Sequence, residues 1–335
     1  MPHGRRHRPS AVSGHSVARS PHRKMNQFKD SACHLSTAGL FGTGSPRRRL
    51  VAFTMNCDDT VPQMTVDRRL PTLRRLVWTL VLLMLVVTSA SAWLRLAQPR
   101  PACFDWPACR SADRPAGVSV AAARLGEPRV LALVRGTHRV AATLALIVVV
   151  ALAVLALARR PRRWASGRLA LVLLVLALAL SALGIVTPGS RAAGVLLGNL
   201  LGGLLMLALS WRLATHLAGW PVTSPGLARW ALLGAGLWGA QAALGALSGS
   251  AQLDAAPVAH MALALLAGSC AVGVGWGARR QGRRVEGASL MASTGLQFVL
   301  AAAAASSAAS PALVLLHNAG AAVGLSLLVG LARAD

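Results

Sequence analysis

Eight stretches of about twenty apolar residues recur along the chain, and they constrain its fold more than any other feature. They run Leu76–Leu96, Val130–Ala158, Leu169–Val186, Ala193–Ala214, Leu227–Leu247, Val258–Gly277, Ala288–Ser306 and Ala312–Leu331. A helix crossing roughly 30 Å of hydrocarbon needs about 20 such residues. Within lipid, helices and closed barrels alone satisfy their backbone hydrogen bonds internally. The expected fold class is therefore an all-α integral membrane protein with eight transmembrane helices. Charged residues make up only 13% of the chain, about half the share of a soluble protein.

The net charge of +25 raises the question of nucleic acid, and its placement answers it. The arginines fall in an N-terminal tail and in short segments between apolar runs, with no basic face interleaved with aromatics. No nucleic-acid partner is expected; the partner is the lipid bilayer. Arg68, Arg69, Arg74 and Arg75 precede the first run, "RRPRRW" (Arg159–Trp164) follows the second, and "RRQGRR" (Arg279–Arg284) follows the sixth. If every run crosses, these lie on one side, while the opposite short loops carry only Arg191. The positive-inside rule then makes both termini cytoplasmic. The long loop Ala97–Arg129 is mixed in charge, and long loops follow that rule less closely.

Residues 1–70 are rich in Arg, Ser, Pro and His and poor in acid, a composition that predicts disorder. Three readings stand side by side. The segment is a transit peptide, a true cytoplasmic tail, or untranslated sequence ahead of a start at Met55 or Met64, the last being favoured.

The chain carries an internal repeat. "GVLLGNLLGG" (Gly194–Gly203) parallels "LVLLHNAGAA" (Leu313–Ala322), each opening a span after an external loop. "RGTHRVAATLAL" at the second span parallels "PVAHMALALLAG" at the sixth. The offsets are nearly constant, 122 residues from His138 to His260 and 119 from Gly198 to His317. Two tandem four-helix bundles follow, residues 71–215 and 226–335, with the same in–out sense.

Three histidines, His138, His260 and His317, lie within about two turns of the external ends of their helices. An ionisable group inside a span is costly, and points to function by default. The bland alternative is an imidazole bonded to a neighbouring helix or sitting among headgroups. Equal depth on repeat-related helices favours a cofactor reading. Haem iron takes axial imidazoles from opposite faces, and a four-helix bundle can hold it in its core. His260 and His317 satisfy this for the C-terminal half. In the N-terminal half His138 faces Gly198, which cannot ligate, so that site is five-coordinate, open or lost. Asn199 beside it can hydrogen-bond a propionate or substrate.

Cys103 and Cys109, in "CFDWPAC", sit in the long external loop, where an oxidising compartment would allow a disulfide. It would be either a static staple or a redox-exchanging pair. A zinc site is disfavoured, as no second thiolate or His pair lies near it in sequence.

Together these residues resemble the heme A synthase family of cytochrome oxidase assembly proteins, from about Leu76 to the end. Arg95-Leu96 stands at the family spacing before "CFDWPAC", His138-Arg139 matches the opening of the family's second span, and Leu316-His317-Asn318 matches its eighth. The resemblance implies oxidation of the C8 methyl of haem O to the formyl group of haem A. It implies haem b held by His260 and His317, haem O as substrate in the N-terminal half with His138 as a ligand, and Cys103–Cys109 as a redox disulfide. Its setting would be the bacterial inner membrane with the Cys103–Cys109 loop periplasmic, or the mitochondrial inner membrane. A haem O synthase, the oxidase assembly machinery and an electron donor are the implied partners, and a homo-oligomer is open.

The departures matter as much. Arg135 stands where the family has a glutamate thought to be catalytic, and Gly198 stands where span four has a His. Arg135 and Arg139 would clamp propionates by bidentate pairing or form a solvated external face. The alternative function is a non-catalytic haem-binding assembly factor or carrier that keeps the C-terminal haem alone. A two-haem electron conduit fits poorly, because it needs histidines at two depths.

Overall fold

The computed structural model describes residues 68–97, 127–158, 160, 162–186, 192–249, 255–306 and 310–333. All its described regular structure is helical. The elements are α1 (Leu70–Ala97), α2 (Pro128–Leu157), α3 (Trp164–Val186), α4 (Ala193–Leu217), α5 (Pro225–Gly249), α6 (Ala256–Arg280), α7 (Arg284–Ser306) and α8 (Pro311–Leu331). Each is long and apolar enough to cross a membrane, so the eight-span expectation is borne out. Several helices begin before the apolar runs do, because Arg and Trp residues at the arginine-rich end extend the first turn.

Local chemistry sets the boundaries. Proline occupies the first or second position of α2, α6 and α8, where a missing N–H costs no intrahelical bond. Two helices end in the same left-handed glycine cap. At α4, Gly219 has φ 74°, its N–H donates to His216 O (3.1 Å), and the Trp220 N–H donates to Thr215 O (3.1 Å). At α6, Gly282 has φ 86°, its N–H donates to Arg279 O (3.1 Å), and the Arg283 N–H donates to Ala278 O (3.0 Å). This pairing satisfies carbonyls that a helix end leaves orphaned, and it needs a residue without Cβ.

Within residues 67–335, which form one compact unit, each set of four helices closes a ring. α1 packs on α2 and α4, and α3 lies between α2 and α4; α5 packs on α6 and α8, and α7 lies between α6 and α8. The principal seam between the sets is α4 against α8. There Trp211 lies against Gly330, where an added Cβ would meet its indole Nε1 at 2.9 Å. Arg212 Nη1 donates to Ala332 O (2.9 Å) and Val329 O (3.3 Å). Thr223 Oγ1 donates to Leu331 O (2.8 Å). A cation and a hydroxyl thus meet the C-terminal carbonyls of α8, where the helix dipole favours positive charge. Trp211 also packs edge-on with Trp78 (5.3 Å) and Trp220 (6.1 Å), joining α1 to the seam.

Side-chain size sorts the faces. Alanines and glycines such as Ala145, Ala208, Ala271 and Gly203 are buried between helices, which lets backbones approach closely. Large apolar residues such as Ile185, Val175, Met261, Leu265 and Val299 point outward and are exposed. An apolar exterior on this scale is the surface expected to meet lipid tails.

Candidate functional site

The arginine-poor end of the C-terminal ring carries one polar side chain from each helix: Gln241 (α5), His260 (α6), Gln297 (α7) and His317 (α8). His260 and His317 face each other with ring centroids 6.5 Å apart and planes at 77°. Their helices start at Ala256 and Pro311, so both rings sit in the second turn from the same end. The expected pair is brought together at one level.

His260 is held from behind. Its Nδ1 lies 3.0 Å from the Gln241 carbonyl oxygen, and since a carbonyl accepts only, Nδ1 carries the proton. That leaves Nε2 unprotonated, the tautomer a metal ligand needs, with the Gln241 amide as its weak donor. Nε2 is 3.5 Å from the Gln241 side-chain amide nitrogen. The ring lies flat against α5 because position 245 is glycine; a Cβ there would come within 2.8 Å of His260 Cε1. Gln241 and Gly245 are one turn apart and together form the seat.

The remaining polar atoms of the layer are under-satisfied. Gln241 Oε1, Gln297 Nε2 and His317 Nδ1 are buried without a hydrogen-bond partner. His317 lies near the Gln297 backbone but forms no bond of good geometry with it. Gln297 is 7% exposed and its amide rests on Gly320, one turn beyond His317. Each buried polar atom left unpaired costs about 1–3 kcal/mol, and native proteins retain few. Three of the six such atoms among the described residues fall in this one layer.

The ring spacing fits a metal-bearing group. Two imidazoles bound to a single metal from opposite sides, with bonds of about 2.0–2.1 Å as for zinc, put their centroids roughly 6–6.5 Å apart. Among the described residues no cluster of three or more His, Cys, Asp or Glu could hold a metal ion. A porphyrin does not require one, because its own nitrogens supply the four equatorial ligands. The spacing of the two rings is that of two axial imidazoles on one iron.

The N-terminal ring differs. His138 is half-buried on α2, and Arg135 and Arg139 on the same helix are exposed. Arg95 of α1 stands close enough for its charge to act on the His138 ring, and its Nη1 donates to Ser91 Oγ (2.8 Å). Among the described residues no second imidazole acts on the His138 ring. At Gly198 an added Cβ would meet Leu183 Cδ2 of α3 at 3.1 Å, so leucine crowds the place where a ligand would extend. Asn199 is half-buried beside it. Cys103 and Cys109, with the whole "CFDWPAC" segment, lie outside the described residues.

Sequence reasoning found the histidines and missed the glutamines. Their signal was available, since Gln241 and Gln297 are amides inside otherwise apolar runs at the histidines' end of the helices.

The fold and site thus define an eight-span helical membrane protein with a histidine pair inside one of two four-helix rings. The family model COX15-CtaA, described as cytochrome oxidase assembly protein, matches residues 31–193, and over that stretch the chain is similar to that family. The match includes the segment of Cys103 and Cys109, Arg135, His138 and Arg139. It starts upstream of Leu76, where the sequence resemblance begins, and stops at the first residue of α4. His260 and His317 lie beyond it. No curated protein matches the chain.

Proposed function

We propose that this protein serves cytochrome oxidase assembly as a haem-binding oxidoreductase of the heme A synthase type, converting the C8 methyl of haem O to the formyl of haem A. The observation that carries this reading is the pair of imidazoles from α6 and α8, 6.5 Å apart, in a layer of orphaned buried amides. His260 and His317 would hold haem b, and that group would supply one-electron transfer. The Gln241 carbonyl keeps His260 in the ligating tautomer, and Gly245 fixes the ring's orientation. Gln241 Oε1 and Gln297 Nε2 give an acceptor and a donor at the rim. The apolar helices around them exclude water.

The substrate would lie in the N-terminal ring against His138, with Arg135, Arg139 and Asn199 disposed toward propionates. Cys103–Cys109 would exchange reducing equivalents from an electron donor outside the membrane. Arg135 in place of a carboxylate removes a proton acceptor from beside His138, so proton transfer would fall to another group or to water.

A second reading is favoured by the contact between Gly198 and Leu183. With no ligand side chain at Gly198 and Leu183 crowding that place, the chain would act as a haem carrier or assembly factor using the C-terminal site alone. Co-expression with a haem O synthase separates the two. Haem A in the extracted pigments supports the enzyme. Haem b alone, at one per chain, supports the carrier. A purified protein without haem overturns both.

A further inference from the structure

The turn joining α6 to α7 carries charge that no acidic group among the described residues neutralises in full. Arg279, Arg280, Arg283 and Arg284 lie within six positions, and the acid at this turn is Glu286. Buried Arg283 takes it, Nη2 to Oε1 at 3.1 Å and Nε to Oε1 at 3.3 Å. Arg279, Arg280 and Arg284 stay exposed with no acidic partner among the described residues. They line, with Trp276, a depression of about 300 Å³. Arg280 stacks its guanidinium 5.3 Å from the Trp276 ring centroid, which holds the charge at the level where tryptophan meets the headgroups.

Trp276 is also the end wall of a second hollow. An apolar groove of about 530 Å³ runs from it between α6 and α7, past Gly273, Val272 and Phe298 to Leu265. It exists because of its glycines. Phe298 folds onto Gly268, where a Cβ would meet Cε2 at 2.6 Å, and Gly273 has nothing within 4 Å of its Cβ position. Near the arginines the two backbones approach closely at Gly275 and Gly287, and Trp276 lines both hollows. Trp276 to Leu265 covers about 16 Å of helix, close to the ~15 Å of one leaflet of hydrocarbon.

We propose that the α6–α7 turn and groove form a binding site for one anionic phospholipid of the leaflet on the arginine-rich side. Arg279, Arg280 and Arg284 take the phosphate, Trp276 packs the glycerol region, and the groove holds an acyl chain. Charge complementarity and the continuity of the two hollows through Trp276 argue for a lipid over a soluble anion, which would need no groove. The arginines lie at the opposite end of α6 from His260, about 28 Å along the helix, while the groove's far end comes up to Leu265 and Phe298, next to the histidine layer.

The test uses the full chain, delipidated in detergent and titrated with phosphatidylglycerol or phosphatidylcholine of matched chains, with bound lipid read by native mass spectrometry. Phosphatidylglycerol should bind at least tenfold tighter. The triple variant Arg279→Ala/Arg280→Ala/Arg284→Ala should lose affinity by about fivefold per arginine, whereas Arg160→Ala/Arg162→Ala at the α2–α3 turn should not. Gly273→Phe fills the groove without altering charge and should weaken binding several-fold; Leu265→Trp narrows its far end and gives a second check should the first variant fold poorly. Equal binding of the two lipids overturns the proposal, as does equal loss at both turns. Retention of affinity in both groove variants, or displacement by millimolar inorganic phosphate or an acidic peptide, overturns it as well.

Discussion

The two four-helix rings share a helix order and a neighbour pattern, yet they treat the same position in opposite ways. In the C-terminal ring, α8 offers His317, which meets His260 across 6.5 Å. In the N-terminal ring, α4 offers Gly198, and Leu183 leans to within 3.1 Å of where its Cβ would be. Polar layers inside a bundle are demanding, because an unpaired group costs more in a low-dielectric interior than at the surface. One ring has kept three orphaned polar atoms that a ligand could satisfy. In the other, His138 has half-buried Arg95 of α1 for a neighbour rather than a second imidazole, and Arg135 and Arg139 are exposed. A repeat therefore conserves a scaffold more readily than a site.

The largest effect should come from the imidazoles themselves. His260→Ala and His317→Ala should each reduce haem bound to the purified protein by tenfold or more, measured by reduced-minus-oxidised difference spectra, while His138→Ala leaves that signal within twofold. Equal losses in all three would erase the distinction between the rings.

The second prediction rebuilds the missing ligand. Gly198→His alone should add little haem, because the Leu183 methyl 3.1 Å from the Cβ position must first give way. Gly198→His with Leu183→Ala should raise haem from one toward two per chain, checked by pyridine haemochrome stoichiometry. A failure of the double variant would mean that the N-terminal ring lacks more than a ligand.

A third change acts through the seat of His260. Gly245→Ala sets a Cβ 2.8 Å from Cε1, too close without a shift of the ring. It should weaken haem binding several-fold and change the low-spin electron paramagnetic resonance g-values, which report imidazole orientation. Unaltered g-values would remove α5 from the site.

Gln297→Leu separates ligand from fold. It replaces a buried amide with an unpaired nitrogen by an apolar side chain of similar size, a change that can be neutral or stabilising in the absence of a partner. The apoprotein should melt no lower than wild type, whereas haem should protect it less by a few degrees. Equal protection in both would show that the amide does not meet the haem.

The smallest effect belongs to exposed charge. Arg135→Ala and Arg139→Ala should leave the C-terminal haem signal unchanged and weaken any haem in the N-terminal ring by less than about fivefold, since exposed ion pairs are worth roughly 0–1 kcal/mol. A larger loss would show that these arginines are desolvated against a propionate.

Helix number and the candidate histidines were legible in the sequence; the helix ends were legible only roughly, since the first, third and seventh helices start six, five and four residues ahead of the apolar runs. Hydrocarbon thickness dictates run length. Pro128, Pro311, Gly219 and Gly282, which the sequence reading did not use, set boundaries by chemistry local to each residue. His138, His260 and His317 stand out because ionisable groups are rare in such runs. Other features were not legible, because they depend on contacts between residues far apart in the chain. Nothing local distinguishes Gly198, crowded by Leu183, from Gly245, which seats an imidazole, or from Gly273, which opens a groove. Gln241 and Gln297 become partners of the histidines only when four helices close into a ring. Periodicity and composition fixed what each segment is. Which segments face each other, and hence which polar atoms are left without partners, was decided by packing, because burial and pairing are properties of neighbours in space.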